Sequence, residues 1–386
     1  MKPVRVICAI VLMHLCAMAA FAQMGKNVPI PAGSEADKQL KAINGANDPA
    51  EKLKLIDAFA AAHADGDLAI VADDQYVNYY LSAKQYDRAF EYGDKLFALD
   101  PDNYQNALNL VRAANEKGDN AKVIQYAEKA GMIVQKYKAA PAPSGTSEDA
   151  WNAPKKQTLA GLQEDREYVE KSYLSAAYRE TDPTQKAAAL SKFATIFPES
   201  ANAEQAGMMA AFAYQQAQKR PEMQKAASAV LAKDPNNIAM LILLADDYAE
   251  NNEQLDKATE YAKKAAGLCD TAKKPEGMND ADWQNQITLQ KGLALSALGE
   301  VNLQKKQNTQ AVESLKQAAP LLKSNAVSYA RNQYRLGFAY INLKNSAGAR
   351  QAFTDAASVD SPYKGPAQEK LKGLGPAKPA ARKAAS

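Results

Sequence analysis

Between residues 37 and 373, apolar side chains recur at intervals of three and four, and no sustained alternating run interrupts them. That spacing follows the roughly 3.6-residue turn of an α-helix and not the two-residue pleat of a strand. Ala, Leu, Lys, Gln and Glu dominate the same span, and these residues lose little on entering a helix. The pattern predicts a chain that is helical throughout. Two helix starts are written out in full, Asp48-Pro49-Ala50-Glu51 and Asp182-Pro183-Thr184-Gln185. In each, the aspartate can accept from the first amides of the helix, and the proline takes a position where no amide hydrogen is needed. Glu51 and Gln185 stand three residues past the cap, as in a capping box. Capping accounts for every residue of both stretches.

The helical pattern also repeats. Residues 70–103, IVADDQYVNYYLSAKQYDRAFEYGDKLFALDPDN, carry Tyr80, Ala89, Leu96, Leu99 and Pro101 at helical intervals. The window 104–137 holds Leu110, Val111, Ala114, Gly118, Val123, Ala127 and Ala130 at matching places, with Ala114 where an aromatic is usual. Window 204–237 supplies Ala211, Tyr214, Ala227 and Pro235. Window 238–272 supplies Leu244, Ala245, Tyr248, Ala258, Ala262 and Ala265, with an extra residue in the turn NNEQLD. Windows 292–325 and 330–363 supply Leu298, Gly299, Ala311, Leu315 and Ala318, then Leu336, Gly337, Tyr340, Ala349, Phe353 and Ala356. Position 8 (Gly299, Gly337, Ala211, Ala245) and position 20 (Ala89, Ala311, Ala349) are small, which lets two helix axes approach at the near end of the usual range of about 8–10 Å. Tyr80, Tyr214 and Tyr340 fill the space between successive pairs.

This 34-residue frame resembles the tetratricopeptide repeat, two antiparallel helices with small residues where they cross and a proline closing the unit. The resemblance implies an all-α fold, a right-handed superhelical solenoid of hairpins. Such arrays bind an extended or helical segment of another protein on a concave face lined by the first helix of each pair. Placed on this chain, the frame puts Asp74, Asn78, Leu81, Leu108, Arg112, Asn115, Met208, Phe212, Gln215, Ile242, Asp246, Ser296, Glu300, Tyr334, Phe338 and Ile341 at inward positions. The lysine/asparagine clamp with which some of these domains hold a terminal carboxylate is absent. Met and Phe at inward positions favour grooves for side chains instead.

A longer period overlies the short one. Leu40, Asp48, Pro49, Lys52, Ile56 and Phe59 recur about 134 residues later as Leu174, Asp182, Pro183, Lys186, Leu190 and Phe193. PSGTSEDAW at 143–151 likewise returns as PEGMNDADW at 275–283. One block was duplicated, and the tryptophan loop came with it. Pro and Gly followed by acids are turn and helix-start chemistry. Trp151 and Trp283 therefore belong on the first turn of the following helix, anchoring an irregular linker. The alternative is an exposed, ligand-stacking role. The expected organisation is a leader at 1–22, a flexible lead at 23–36, a helical hairpin at 37–69, a repeat pair at 70–137 and a tryptophan linker at 138–157. A second hairpin at 158–203, a repeat pair at 204–272, a linker at 273–291 and a repeat pair at 292–363 follow. A capping helix at 364–373 and a basic, disordered tail at 374–386 close the chain.

The ends change the picture of where the chain works. Lys2 and Arg5 precede the apolar run VICAIVLMHLCAMAA, and Ala20-Phe21-Ala22 offers a small-x-small cleavage pattern before Gln23. The run is too short for a comfortable bilayer span, so an exported protein without an integral span, periplasmic or secreted, is expected. Removing the leader takes Cys8, Cys16 and His14 with it. Cys269 and His63 are then the sole residues of their kinds, so no internal disulfide can close. The formal charge of +3 falls nearly to zero with Lys2 and Arg5 gone. Lys370, Lys372, Lys378, Arg382 and Lys383 leave the rest slightly acidic, with no basic footprint for nucleic acid. The tail is read as a solubilising end, with contact to an anionic surface as the alternative.

Catalytic patterns are missing. His63 in AAAHADGD stands in a helix-end context, with no nucleophile elbow or orienting partner in view. No His/Cys/carboxylate set has metal spacing, no acidic stretch has the calcium-loop frame, and no glycine-rich phosphate loop appears. The expectation is a non-catalytic scaffold, without cofactor, that binds a protein or peptide segment in its groove. A targeting or assembly subunit of a cell-wall or secretion complex is the alternative, and a helical-solenoid enzyme a more distant one.

Overall fold

The computed structural model describes residues 24–375. The leader at 1–22 and nearly all of the basic tail lie outside the described residues. Among those described, all regular structure is helical, and the chain divides into two compact units between Ala217 and Gln218. The first unit holds α1 (Glu35–Gly45), α2 (Pro49–Ala62), α3 (Leu68–Ser82), α4 (Tyr86–Leu99), α5 (Tyr104–Lys117), α6 (Asn120–Ala139), α7 (Glu148–Gly161), α8 (Gln163–Arg179), α9 (Pro183–Ile196) and α10 (Ala203–Gln216). The second holds α11 (Arg220–Lys233), α12 (Ile238–Glu250), α13 (Leu255–Thr271), α14 (Asp280–Gln304), α15 (Asn308–Leu321), α16 (Ala326–Asn342), α17 (Ser346–Ala357) and α18 (Lys364–Gly373).

Within each unit the helices stack in chain order, each packing on the next, so every core layer is made by near neighbours in sequence. The exception is α7, which stands aside while α6 packs directly on α8. The Asp-Pro starts cap as their chemistry requires. Asp48 accepts from the Glu51 amide, and Asp182 from the Gln185 amide, both at 2.8 Å.

A left-handed residue fixes the register of the repeats. Lys84, Gly118, Gln218, Asn252, Lys306 and Lys344 have φ between 53° and 75°, and each is the fifteenth residue of its window. Around Lys84, the Gln85 amide donates back to Tyr80 O at 2.9 Å. The Gln307 and Asn345 amides do the same to Asn302 O and Tyr340 O. These 6→1 bonds close the first helix and turn the chain back alongside it. Glycine takes this conformation freely, whereas a lysine pays for its Cβ. Replacing Lys84, Lys306 or Lys344 by glycine is therefore expected to raise stability by about 0.5–1 kcal/mol each, read as a higher urea midpoint at unchanged slope.

Small residues sit where the helices cross. Ala89, Ala211, Ala245, Ala311 and Ala349 are fully buried. A Cβ added at Gly337 would lie 2.5 Å from Cε1 of the buried Phe353 ring.

The two copies of the tryptophan loop differ. In the first, α7 carries Pro154 and ends at Gly161 before α8 begins. Proline removes an intrahelical bond, and glycine adds backbone entropy to be lost. The corresponding positions of the second copy are Gln286 and Leu293. There α14 runs unbroken for 25 residues, so residues 280–291 are helix where a linker was expected. Trp151 is buried on the first turn of α7, donates from Nε1 to Ala140 O at 3.1 Å and meets Tyr137 edge-on. Trp283 also lies on a first helical turn but is only half-buried. Residues expected as a flexible lead lie along the first unit: the Lys26 amide donates to buried Asp100 at 2.9 Å, and Ile30 packs on the core around Ile56 and Phe59.

Candidate functional site

The inward positions of the first unit lie on α3, α5 and α10, and α8 adds side chains to the same face. Arg112 on α5 reaches Asp165 on α8 at 2.8 Å, and its guanidinium lies 5.7 Å above the Tyr168 ring. Asn115, one turn further along, donates to Tyr168 OH at 3.0 Å and to Ser172 Oγ at 2.9 Å. Tyr178 on α8 donates to Met209 Sδ on α10 at 3.6 Å. Same-face residues of successive first helices therefore touch, and the face is continuous from α5 to α10. On α3, Asn78 donates to Asp74 at 3.0 Å. Burial pushes the Asp74 carboxyl above its usual range, and the Asn78 bond partly offsets this.

Much of this face is open and apolar. Tyr168 is 37% exposed, Tyr178 41%, Met209 36% and Phe212 40%, and Gln215 is exposed beside them. Met208 is half-buried, Leu81 packs into the core around Tyr80, and Leu108 is fully buried. Tyr168, Tyr178 and Met209 are absent from the inward positions read from the sequence. The hairpin α8–α9 carries no 34-residue frame, so no register assigned Tyr168 or Tyr178, while Met209 stands one residue past the inward Met208. The helical spacing of Tyr168 and Tyr178 on the helix opposite Arg112 was the available signal.

In the second unit the inward positions converge on buried charge. Arg335 on α16, only 5% exposed, reaches Asp246 at 2.9 Å, Glu250 at 2.9 Å, Glu300 at 3.1 Å and Ser296 Oγ at 3.4 Å. Arg331, one turn earlier, reaches Asp246 at 2.6 Å and Glu250 at 3.4 Å. Burial disfavours a charged Asp246, but Arg335 and Arg331 outweigh it and hold that carboxyl below its usual range. Burial and the neighbouring Asp246 push Glu250 the other way. Asp246, Ser296 and Glu300 were read as inward residues, whereas both arginines were missed. The signal was a pair of matched doublets, Arg331/Arg335 and Asp246/Glu250, each four residues apart on one helical face.

The remaining inward residues of this unit are mostly covered. Ile242 is buried. Tyr334 and Phe338 meet edge-on at 5.0 Å and pack on Phe353, each at 5.6 Å. The closing helix α18 lies over them through Leu371 and the Lys370 ammonium, 5.0 Å above the Phe338 ring. Ile341 stays more than a third exposed.

Among the described residues no group of His, Cys, Asp and Glu could hold a metal ion, and no helix is long and apolar enough to cross a membrane. His63 closes α2, with Nε2 3.0 Å from Gln39 Oε1 and its ring 4.6 Å from Phe59. Cys269 is buried near the end of α13, and burial pushes its thiol up to about 11, so it is not a ready nucleophile.

No protein-family model matches the chain, and no curated protein matches it. Solved structures do align. The Cut9–Hcn1 hetero-tetramer of the APC/C matches at 13% identity over 89% of this chain and 64% of that one, with a TM-score of 0.42. Yeast Tom70 matches at 12% identity over 88% and 94%, TM-score 0.33. NprR in complex with its cognate peptide NprX matches at 15% identity over 90% and 84%, TM-score 0.30.

Proposed function

We propose that this chain is a non-catalytic scaffold that binds a segment of another protein along the face of its first helices, and that it does so outside the cytoplasm. The supporting observation is the open patch of Tyr168, Tyr178, Met209 and Phe212 in the first unit. Adjacent exposed aromatics and methionines on a monomer mark an interaction surface. Asn115 and Gln215 border the patch on the same face and supply donors and acceptors without net charge. An uncharged segment with bulky apolar side chains fits such a surface. Export rests on the leader at 1–22, with cleavage after Ala22; sequencing the protein from producing cells should then begin at Gln23.

A photo-activated cross-linker in place of Phe212 should trap one recurrent partner in the producing cells, whereas the same group in place of Lys225 on α11 should not. With that partner purified, Tyr178→Ala and Phe212→Ala should each weaken binding about tenfold or more. Equal trapping at both positions, or unchanged affinity in both variants, would dismiss the groove as the binding face.

A further inference from the structure

The first unit contains a cleft that no inward position lines. It lies among the start of α5, the second half of α6, the first half of α8 and the end of α9, and encloses about 40 Å³. Val134, Val169, Ile196 and Phe197 form its apolar walls. Its deepest polar residue is Tyr104, 3% exposed, whose hydroxyl has no hydrogen-bond partner among the described residues. A buried hydroxyl left unpaired costs stability, and a ligand group that bonds to it removes that cost. Arg166 and Glu170, one turn apart on α8, line the same cleft. Arg166 has only a loose pair with Glu199 at 3.7 Å, and Glu170 has no ion pair among the described residues.

Charge and size select what fits. The cations around the cleft are Arg112, Lys138 and Arg166, and the carboxylates are Asp165, Glu170 and Glu199. The signs cancel, so a charged group would enter a neutral site at the full cost of its desolvation. Beside each other stand donors (the Tyr104 hydroxyl and the Arg166 guanidinium) and an acceptor, the Glu170 carboxylate. A group that both accepts and donates satisfies both sides at once. The volume holds roughly three water-sized groups, so only a small group enters.

We propose that this cleft is a binding site for a short aliphatic amide, its alkyl stem against Val134, Val169 and Ile196, its carbonyl accepting from Tyr104 and Arg166, and its N–H donating to Glu170. A glutamine side chain on a partner and a free small amide share that chemistry.

The test uses methyl-resolved NMR on the full chain with butyramide, butylammonium and butyrate as probes. Butyramide should shift the Val134, Val169 and Ile196 methyls with affinity on the order of 1 mM, at least fivefold tighter than either ion. Tyr104→Phe should weaken butyramide at least fivefold while leaving the thermal midpoint unchanged or higher, because the hydroxyl it removes has no partner in the free protein. Glu170→Gln removes one negative charge, so it should turn preference towards butyrate. An acetyl-Ala-Gln-Ala-amide peptide that binds as tightly as butyramide would assign the source to a partner's glutamine, and its exclusion would assign it to a free amide. The proposal fails if either ion binds as well as butyramide to the wild type, if Tyr104→Phe leaves the amide affinity unchanged, or if no probe moves the three methyls.

Discussion

Arg335→Met should cost the second unit about 3–5 kcal/mol, the largest loss expected from any single polar replacement in the chain. Methionine fills most of the volume, so the cost is electrostatic. Asp246 stays buried with Arg331 as its one remaining cation, and Glu300 loses the guanidinium that it meets at 3.1 Å. The double variant Arg335→Met with Asp246→Leu should recover a large part of the loss, because two desolvated charges leave together. Glu250→Gln should change stability by under about 1 kcal/mol, since that side chain is half exposed. The pH dependence carries two signs. Asp246 is held below its ordinary value of 3.8, so the stability it contributes is complete above that pH and drains away as pH falls through the lower folded value. Glu250 is raised above 4.5, so its burial costs stability above its folded value, and the cost vanishes on acidification. Wild-type stability should therefore drop steeply only in strong acid, and Arg335→Met should blunt that drop. Urea midpoints from pH 2 to 7 would show it, and a neutral-pH loss under about 1 kcal/mol would mean that water already screens the cluster.

The helical class was legible because nothing competed with it: a period near three and a half, helix-favouring composition and two complete capping signals agree. The 34-residue register was legible for a second reason. A helix crossing has no room for a side chain, and that shows in sequence as a small residue, as at Gly299, Gly337 and Ala349. The turn at position 15 was not legible. One of its six residues is glycine, Gly118, and at Lys84, Asn252, Lys306 and Lys344 the left-handed conformation is held by the 6→1 bond, which leaves no mark on residue type. The site was legible in outline. Inward positions followed from the frame, and they include Phe212 and Asn115 on an open face and Asp246 and Glu300 in a buried charge cluster. What the frame lacks is knowledge of neighbours across helices. Leu108 sinks into the core, Arg335 and Arg331 claim the acids, and α18 comes back over Tyr334 and Phe338. The aromatic patch on α8 escaped because that hairpin belongs to the longer period and not to the shorter one.

Phe353→Ala should destabilise the second unit by about 3–5 kcal/mol, and its partner across the crossing makes the result diagnostic. The ring is fully buried on α17 and touches Tyr334 and Phe338. Three of its carbons lie 2.5 to 2.7 Å from where a Cβ at Gly337 would stand. Gly337→Ala alone should therefore be unfavourable by about 1–3 kcal/mol from overpacking, less the roughly 1 kcal/mol that alanine gains over glycine inside a helix. With the ring removed, the same methyl enters an empty space and brings only the helix gain. Gly337→Ala combined with Phe353→Ala should then be more stable than Phe353→Ala alone, and the sum of the single losses should exceed the double loss by at least about 1 kcal/mol. Equilibrium unfolding of the four proteins in urea measures this coupling. Additive losses would show that the helices at this crossing can slide apart without cost, and glycine at position 8 would then have no packing reason to be there.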